Sequence, residues 1–143
     1  MVHELASFQG ATDKCQMTVE RLYLALFRPQ AALFGHVMEL NNQLAGFALW
    51  YRSFSTWDSI FGIHLEDLYI RPQYRHQGLG RGLLAELAAE CVRHGYSRLQ
   101  WNALTSNSTA IRFYRDLAAE PLNNWTAFRL SGDALEKLGR ESE

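Results

Sequence analysis

At 143 residues the chain has the length of one ordinary domain and can bury a real core. A formal net charge of −1 excludes the basic stripe of a general nucleic-acid binder, and no apolar run approaches the ~18 residues of a membrane span. Cys15 and Cys91 stand far apart without a CxxC partner, and no secretory pattern opens the chain, so both are read as reduced thiols of a cytoplasmic protein.

In chain order, residues 2–9 (VHELASFQ) suit the end of an amphipathic helix that Gly10 would close. Residues 18–27 place Val19, Leu22, Tyr23 and Leu26 on one helical face, and Pro29 stops them. Two apolar runs, 33–40 and 43–51, flank Asn41-Asn42, a hairpin signal because Asn tolerates the left-handed conformation such turns need. Residues 53–58 read as a polar, aromatic loop and 59–70 as a long strand. Residues 78–94 give the clearest helix, with Leu79, Leu83, Leu84, Leu87, Ala88 and Cys91 on one face and Gly95 beyond its end. A strand over 97–103, a short helix over 107–116, a strand over 125–130 and a helix over 131–138 capped by Ser131 complete the order. No repeat, linker or low-complexity segment interrupts it, so residues 1–143 are expected to form a single α/β domain.

Residues 65–80 (LEDLYIRPQYRHQGLG) organise the rest: strand, basic glycine-bearing turn, helix. That order offers an anion the N–H groups and positive dipole end of a helix N-terminus. Gly78 and Gly80 remove side chains from the approach, and Arg75 and Arg81 bracket them with charge. The turn lacks the third glycine of GxGxxG, since position 83 is leucine, and it contains no GxxxxGK, so neither nucleotide pattern applies. Histidines at 3, 36, 64, 76 and 94 show no ligand spacing, which leaves no metal site in the sequence.

The R-x-x-G-x-G turn, followed by Asn107 and by Tyr114 within IRFYR, resembles the acetyl-CoA-binding motif of the GCN5-related N-acetyltransferase (GNAT) superfamily. Glu4-Leu-Ala, Trp57, Leu65-Glu-Asp, Phe113-Tyr114 and Trp125 are most similar to its diamine (spermidine/spermine) acetyltransferase branch. The resemblance implies a mixed central sheet with flanking helices and a splayed strand pair that holds the arm of acetyl-CoA. It also implies that the family's first strand is absent here, the chain starting inside the first helix, with an open sheet edge suited to a homodimer. By resemblance the pantetheine arm pairs with backbone at Leu68 and Ile70, the diphosphate sits on Arg75, His76, Gln77, Gly78, Gly80 and Arg81, and Asn107 holds the cofactor from the opposite wall.

The implied reaction moves acetyl from a thioester to a primary amine of a small molecule: a diamine, a polyamine or an amino-acid-like amine. Tyr114 would protonate the departing thiolate and Glu66 would take the amine's proton through water. Asp67 would anchor the substrate cation, with Trp57 and Trp125 walling its channel. Adjacent strand residues point to opposite faces, so Glu66 and Asp67 share a pocket only if a β-bulge lies between them and the regular strand. The alternative reading is a non-catalytic CoA-binding module on the same fold.

Overall fold

The computed structural model describes residues 1–142 and divides into two compact units, 1–102 and 103–143. The first unit opens with helix α1 (Val2–Phe8), which Gly10 ends in the left-handed region (φ 67°). Helix α2 (Val19–Phe27) follows, and Thr18 caps it by accepting a hydrogen bond from the Arg21 N–H. Strand β1 (Leu33–Leu40) turns through Asn41 and Asn42, both at positive φ as a two-residue hairpin demands, into β2 (Gln43–Ser55). Strand β3 (Ile60–Ile70) leads through a short 3-10 turn to helix α3 (Leu79–His94) and then strand β4 (Leu99–Trp101).

The sheet order is β1-β2-β3-β4, antiparallel except for the parallel β3–β4 pair. One face packs Leu5 of α1 against Phe47, Leu49 and Tyr69, with Leu22 and Leu26 of α2 alongside. The buried stripe of α3 is Leu83, Leu84, Leu87 and Cys91; Ala88, expected within it, is exposed. Gly82 of α3 lies close to the sheet, since a Cβ there would come within 3.3 Å of Met38 Cε on β1. Close packing also fixes Gly46, where a Cβ would stand 2.5 Å from the Tyr69 carbonyl oxygen.

Two boundaries move. Strand β2 runs through residues expected as loop, because Ser53 pairs with Gly62 and Phe54 with Phe61, the two phenyl rings meeting edge to face at 5.0 Å. Strand β4 is shorter than its alternating sequence suggests, its ladder with β3 covering only Leu99, Gln100 and Trp101.

The second unit holds helix α4 (Ser108–Asp116) and helix α5 (Asp133–Arg140). The strand expected over 125–130 does not form; those residues are exposed coil, and this unit has no other strand for them to pair with among the described residues. The cap of α5 is Gly132 rather than Ser131, with no side-chain hydrogen bond.

Candidate active site

Strand β3 carries one residue more than β2 at its middle. Leu49 pairs with Asp67 and Trp50 with Leu65, leaving Glu66 as the inserted residue of a β-bulge. The insertion resets the alternation. Before it, His64 pairs with Tyr51; after it, Asp67 pairs with Leu49 and Tyr69 with Phe47. Cross-strand partners share a face, and Leu49 and Tyr51 are two apart on β2. His64 and Asp67 are therefore on one face, and Glu66, two residues beyond His64, joins them. The carboxylate pair that a regular strand would split is brought together.

The two acids differ in environment. The Glu66 side chain is 58% exposed, with its Oε2 4.0 Å from His64 Nε2. Asp67 sits lower, and burial, followed by the charge of Glu66, raises its carboxyl above the ordinary range. Burial and then the charge of Glu66 also raise the Tyr51 hydroxyl. The Tyr51 ring stacks on His64 at 4.8 Å between centroids. Tyr51 and His64 thus belong to the same cluster. Neither was singled out from sequence; the hairpin register and Asn41-Asn42 turn would have placed Tyr51 near the strand, but the bulge decides the face.

Along its other edge β3 has an opening. Strand β4 pairs with Ile63, His64 and Leu65, so residues 66–70, Leu68 and Ile70 among them, have no strand partner on that side among the described residues. Immediately beyond lies the glycine turn. His76 (φ 61°) and Gly78 (φ 79°) are both left-handed, and nothing stands within 4 Å of where a Cβ at Gly78 would be. Gly78 caps α3 without a side chain, so the first-turn N–H groups of Leu79, Gly80 and Arg81 have no intrahelical acceptor. Gln77 is exposed on the same turn. An open strand edge running to an uncovered helix N-terminus fits an extended, phosphorylated cofactor such as CoA.

The Arg75 side chain has a different assignment from the one expected. Its Nε donates to the Ile70 carbonyl at 2.9 Å, and its guanidinium lies 4.5 Å from the centre of the Phe8 ring and 5.8 Å from that of Tyr69. The Nε bond and the ring contacts fasten the side chain to α1 and the end of β3, while no hydrogen bond within the chain engages its two terminal nitrogens among the described residues. Trp57 is corrected more sharply. It stands 86% exposed in the β2–β3 turn, and residues 60–66 of extended strand, about 20 Å, separate that turn from Glu66. Within one chain it does not wall the carboxylate pair.

In the second unit, Asn107 caps α4, its Oδ1 accepting from the Ala110 N–H at 3.1 Å. Its side-chain amide retains two donors. Tyr114 is half-buried on α4, and burial raises its hydroxyl, keeping the phenol protonated. Trp125 is 70% exposed in coil. Among the described residues, no group of three or more His, Cys, Asp or Glu side chains could hold a metal ion, and no helix is long and apolar enough to cross a membrane.

Residues 2–118 match the family model described as Acetyltransferase (GNAT) family. The chain belongs to the GNAT acetyltransferase family. It is 35% identical to a thialysine N-epsilon-acetyltransferase of Caenorhabditis elegans, over 99% of this chain and 88% of the relative. An L-ornithine N5-acetyltransferase of Arabidopsis thaliana is 33% identical over 71% of this chain and 45% of that protein. Among solved structures, an integron cassette protein from the mobile metagenome of V. cholerae superposes with a TM-score of 0.80 at 23% identity, covering 96% of this GNAT chain and 86% of that one. That likeness carries the fold alone. Together the family match and the named relatives make this chain an N-acetyltransferase.

Proposed function

We propose that this GNAT enzyme acetylates the primary amine of a small cationic molecule, an amino-acid-like amine or diamine, by direct attack on the thioester of acetyl-CoA. The observation that carries this reading is the bulge at Glu66, which puts two carboxylates on one face beside an unpaired strand edge. The names of the relatives, a thialysine and an ornithine acetyltransferase, support a substrate with an amino group at the end of a short aliphatic chain.

Acetyl-CoA supplies the acetyl group as a thioester, its arm along residues 66–70 of β3 and its diphosphate on the N–H groups of the 75–81 turn. The chain's residues handle the protons. An alkylammonium near pKa ~10 must lose one before its nitrogen can attack. Glu66, exposed to solvent, takes it through water, while Asp67 and the faces of the cluster hold the cation. A backbone N–H of residues 68–70 donates to the carbonyl oxygen as negative charge develops there. Tyr114, a protonated phenol, gives its proton to the departing thiolate and regains one from the acylated nitrogen. The nitrogen loses two protons in all, one to solvent by way of Glu66 and one to the thiol.

Thiol release from acetyl-CoA in the presence of thialysine, ornithine and a series of diamines tests the reading; no turnover on any primary amine would end it. Tyr114→Phe is expected to lower kcat about 100-fold or more with acetyl-CoA affinity little changed, and full turnover in that variant would remove Tyr114 as the donor. The outer edge of β1 has no strand partner among the described residues, which supports a homodimer in solution, measurable by light scattering.

A further inference from the structure

His64, beside Glu66 in the β3 cluster, handles no proton in the reaction as written. Its side chain is 15% exposed and flat against Tyr51, with its cross-strand register fixed by β2 on one side and by Gln100 of β4 on the other. The ring is therefore held, whereas the Glu66 carboxylate, largely in solvent, is not. The titratable groups around it are Tyr51 from β2, and Glu66 and Asp67 from its own strand; Gln100 of β4 brings no charge. The imidazole Nε2 and Glu66 Oε2 are 4.0 Å apart, too far for a direct hydrogen bond and close enough for one water to bridge.

We propose that His64 is the positioning residue for Glu66: it fixes the carboxylate's direction from the rigid strand and passes its proton on. This rests on Glu66 acting as the base. The proton balance is simple. Glu66 takes a proton from the ammonium, becoming a neutral acid. That acid loses the proton through the bridging water to the free imidazole nitrogen, and the imidazolium loses one to solvent. Glu66 returns to its ionised form for the next turnover. An imidazole suits the task because one nitrogen accepts while the other donates.

The test is a double-mutant cycle on the amine that the panel shows to be turned over fastest, at saturating acetyl-CoA. His64→Phe keeps the stack on Tyr51 and removes both nitrogens. It is expected to lower kcat about tenfold while amine KM stays within about twofold. Glu66→Gln alone is expected to lower kcat about 100-fold. In the Glu66→Gln background, His64→Phe should cost nothing further, because a residue acting through Glu66 has nothing left to act on. His64→Gln, which restores a polar donor, should recover part of the loss seen with His64→Phe, and it serves for the cycle where the phenylalanine variant fails to fold. Unchanged kcat in His64→Phe, or an equal loss in both backgrounds, would overturn the proposal while leaving Glu66 as base. Wild-type kcat in Glu66→Gln would instead remove the base on which the proposal stands.

Discussion

The two halves of β3 obey different rules. From Ile63 to Leu65 the strand is paired on both edges, with Ile63 wholly buried and Leu65 nearly so. Gly62 admits Arg98 where any side chain would meet it, a Cβ there standing 2.7 Å from Arg98 Cγ. From Glu66 onward the strand keeps β2 but gives up β4, inserts an extra residue, and sets an exposed and a partly buried acid on one face. Pairing with β2 on either side of the bulge holds both halves in register. The first half spends its second edge on the fold; the second keeps that edge open for a ligand. Rigid backbone with unused donors and acceptors is what a site for an extended cofactor requires.

Substitutions in each half should therefore separate stability from turnover. The largest effect is expected from Ile63→Ala in the paired half. Truncating this wholly buried side chain should cost about 3 kcal/mol of folding stability, read by urea denaturation, with kcat per folded molecule unchanged. A change in kcat as large as the stability loss would show the halves to be one functional unit. Glu66→Gln should do the reverse, lowering kcat about 100-fold with the urea midpoint almost unmoved, since the side chain is largely in solvent.

Asp67→Asn is intermediate, because this acid is held at a cost to the fold. Burial raises its carboxyl in the native state. The unfolded chain ionises first as pH rises, so stability falls once pH passes the unfolded value near ~4 and keeps falling until it exceeds the raised native value. The amide removes that penalty. Melting temperature should rise at pH 7 and stay level at pH 3, while the KM for the amine increases about tenfold with the loss of a charge-assisted contact. A lower melting temperature at pH 7 would mean that the carboxylate is a structural partner rather than a tolerated charge.

Much of this organisation was legible because it is local. The hairpin follows from Asn41-Asn42, the α3 stripe from its leucines, and the strand-turn-helix geometry from Gly78 and Gly80 between a strand and a helix. The bulge was foreseen only through family resemblance, since nothing in Leu65-Glu-Asp-Leu says that β2 offers one residue fewer. The surroundings of Arg75 were not legible for a related reason: its charge is visible in sequence, but the Phe8 and Tyr69 rings beside it come from other elements. His64 and Tyr51 escaped notice because each is unremarkable alone. The strand expected at 125–130 shows the converse: its residues are exposed coil, and its own unit contains no strand for it to pair with among the described residues.

The smallest expected effect lies where the open half of β3 ends. Arg71, just past Ile70, donates through Nε and NH2 to both carboxylate oxygens of Glu4 at 3.0 and 2.9 Å, and through NH1 to the Leu44 carbonyl at 2.9 Å. This fork ties α1 and the start of β2 to the end of the strand. Its hydrogen bonds lower the Glu4 carboxyl below its ordinary value. A depressed native value adds stability above the unfolded value near ~4, and that contribution is lost as pH falls through the native one. Both groups are substantially exposed, so solvent screening keeps the contribution small. Glu4→Gln should accordingly lower the melting temperature slightly at pH 7 and leave it unchanged near pH 2, where wild-type Glu4 is itself protonated. If it also raised the KM for acetyl-CoA, the fork would be holding the open edge of β3 in its working position. An equal melting shift at both pH values would instead assign the loss to packing and not to the charge.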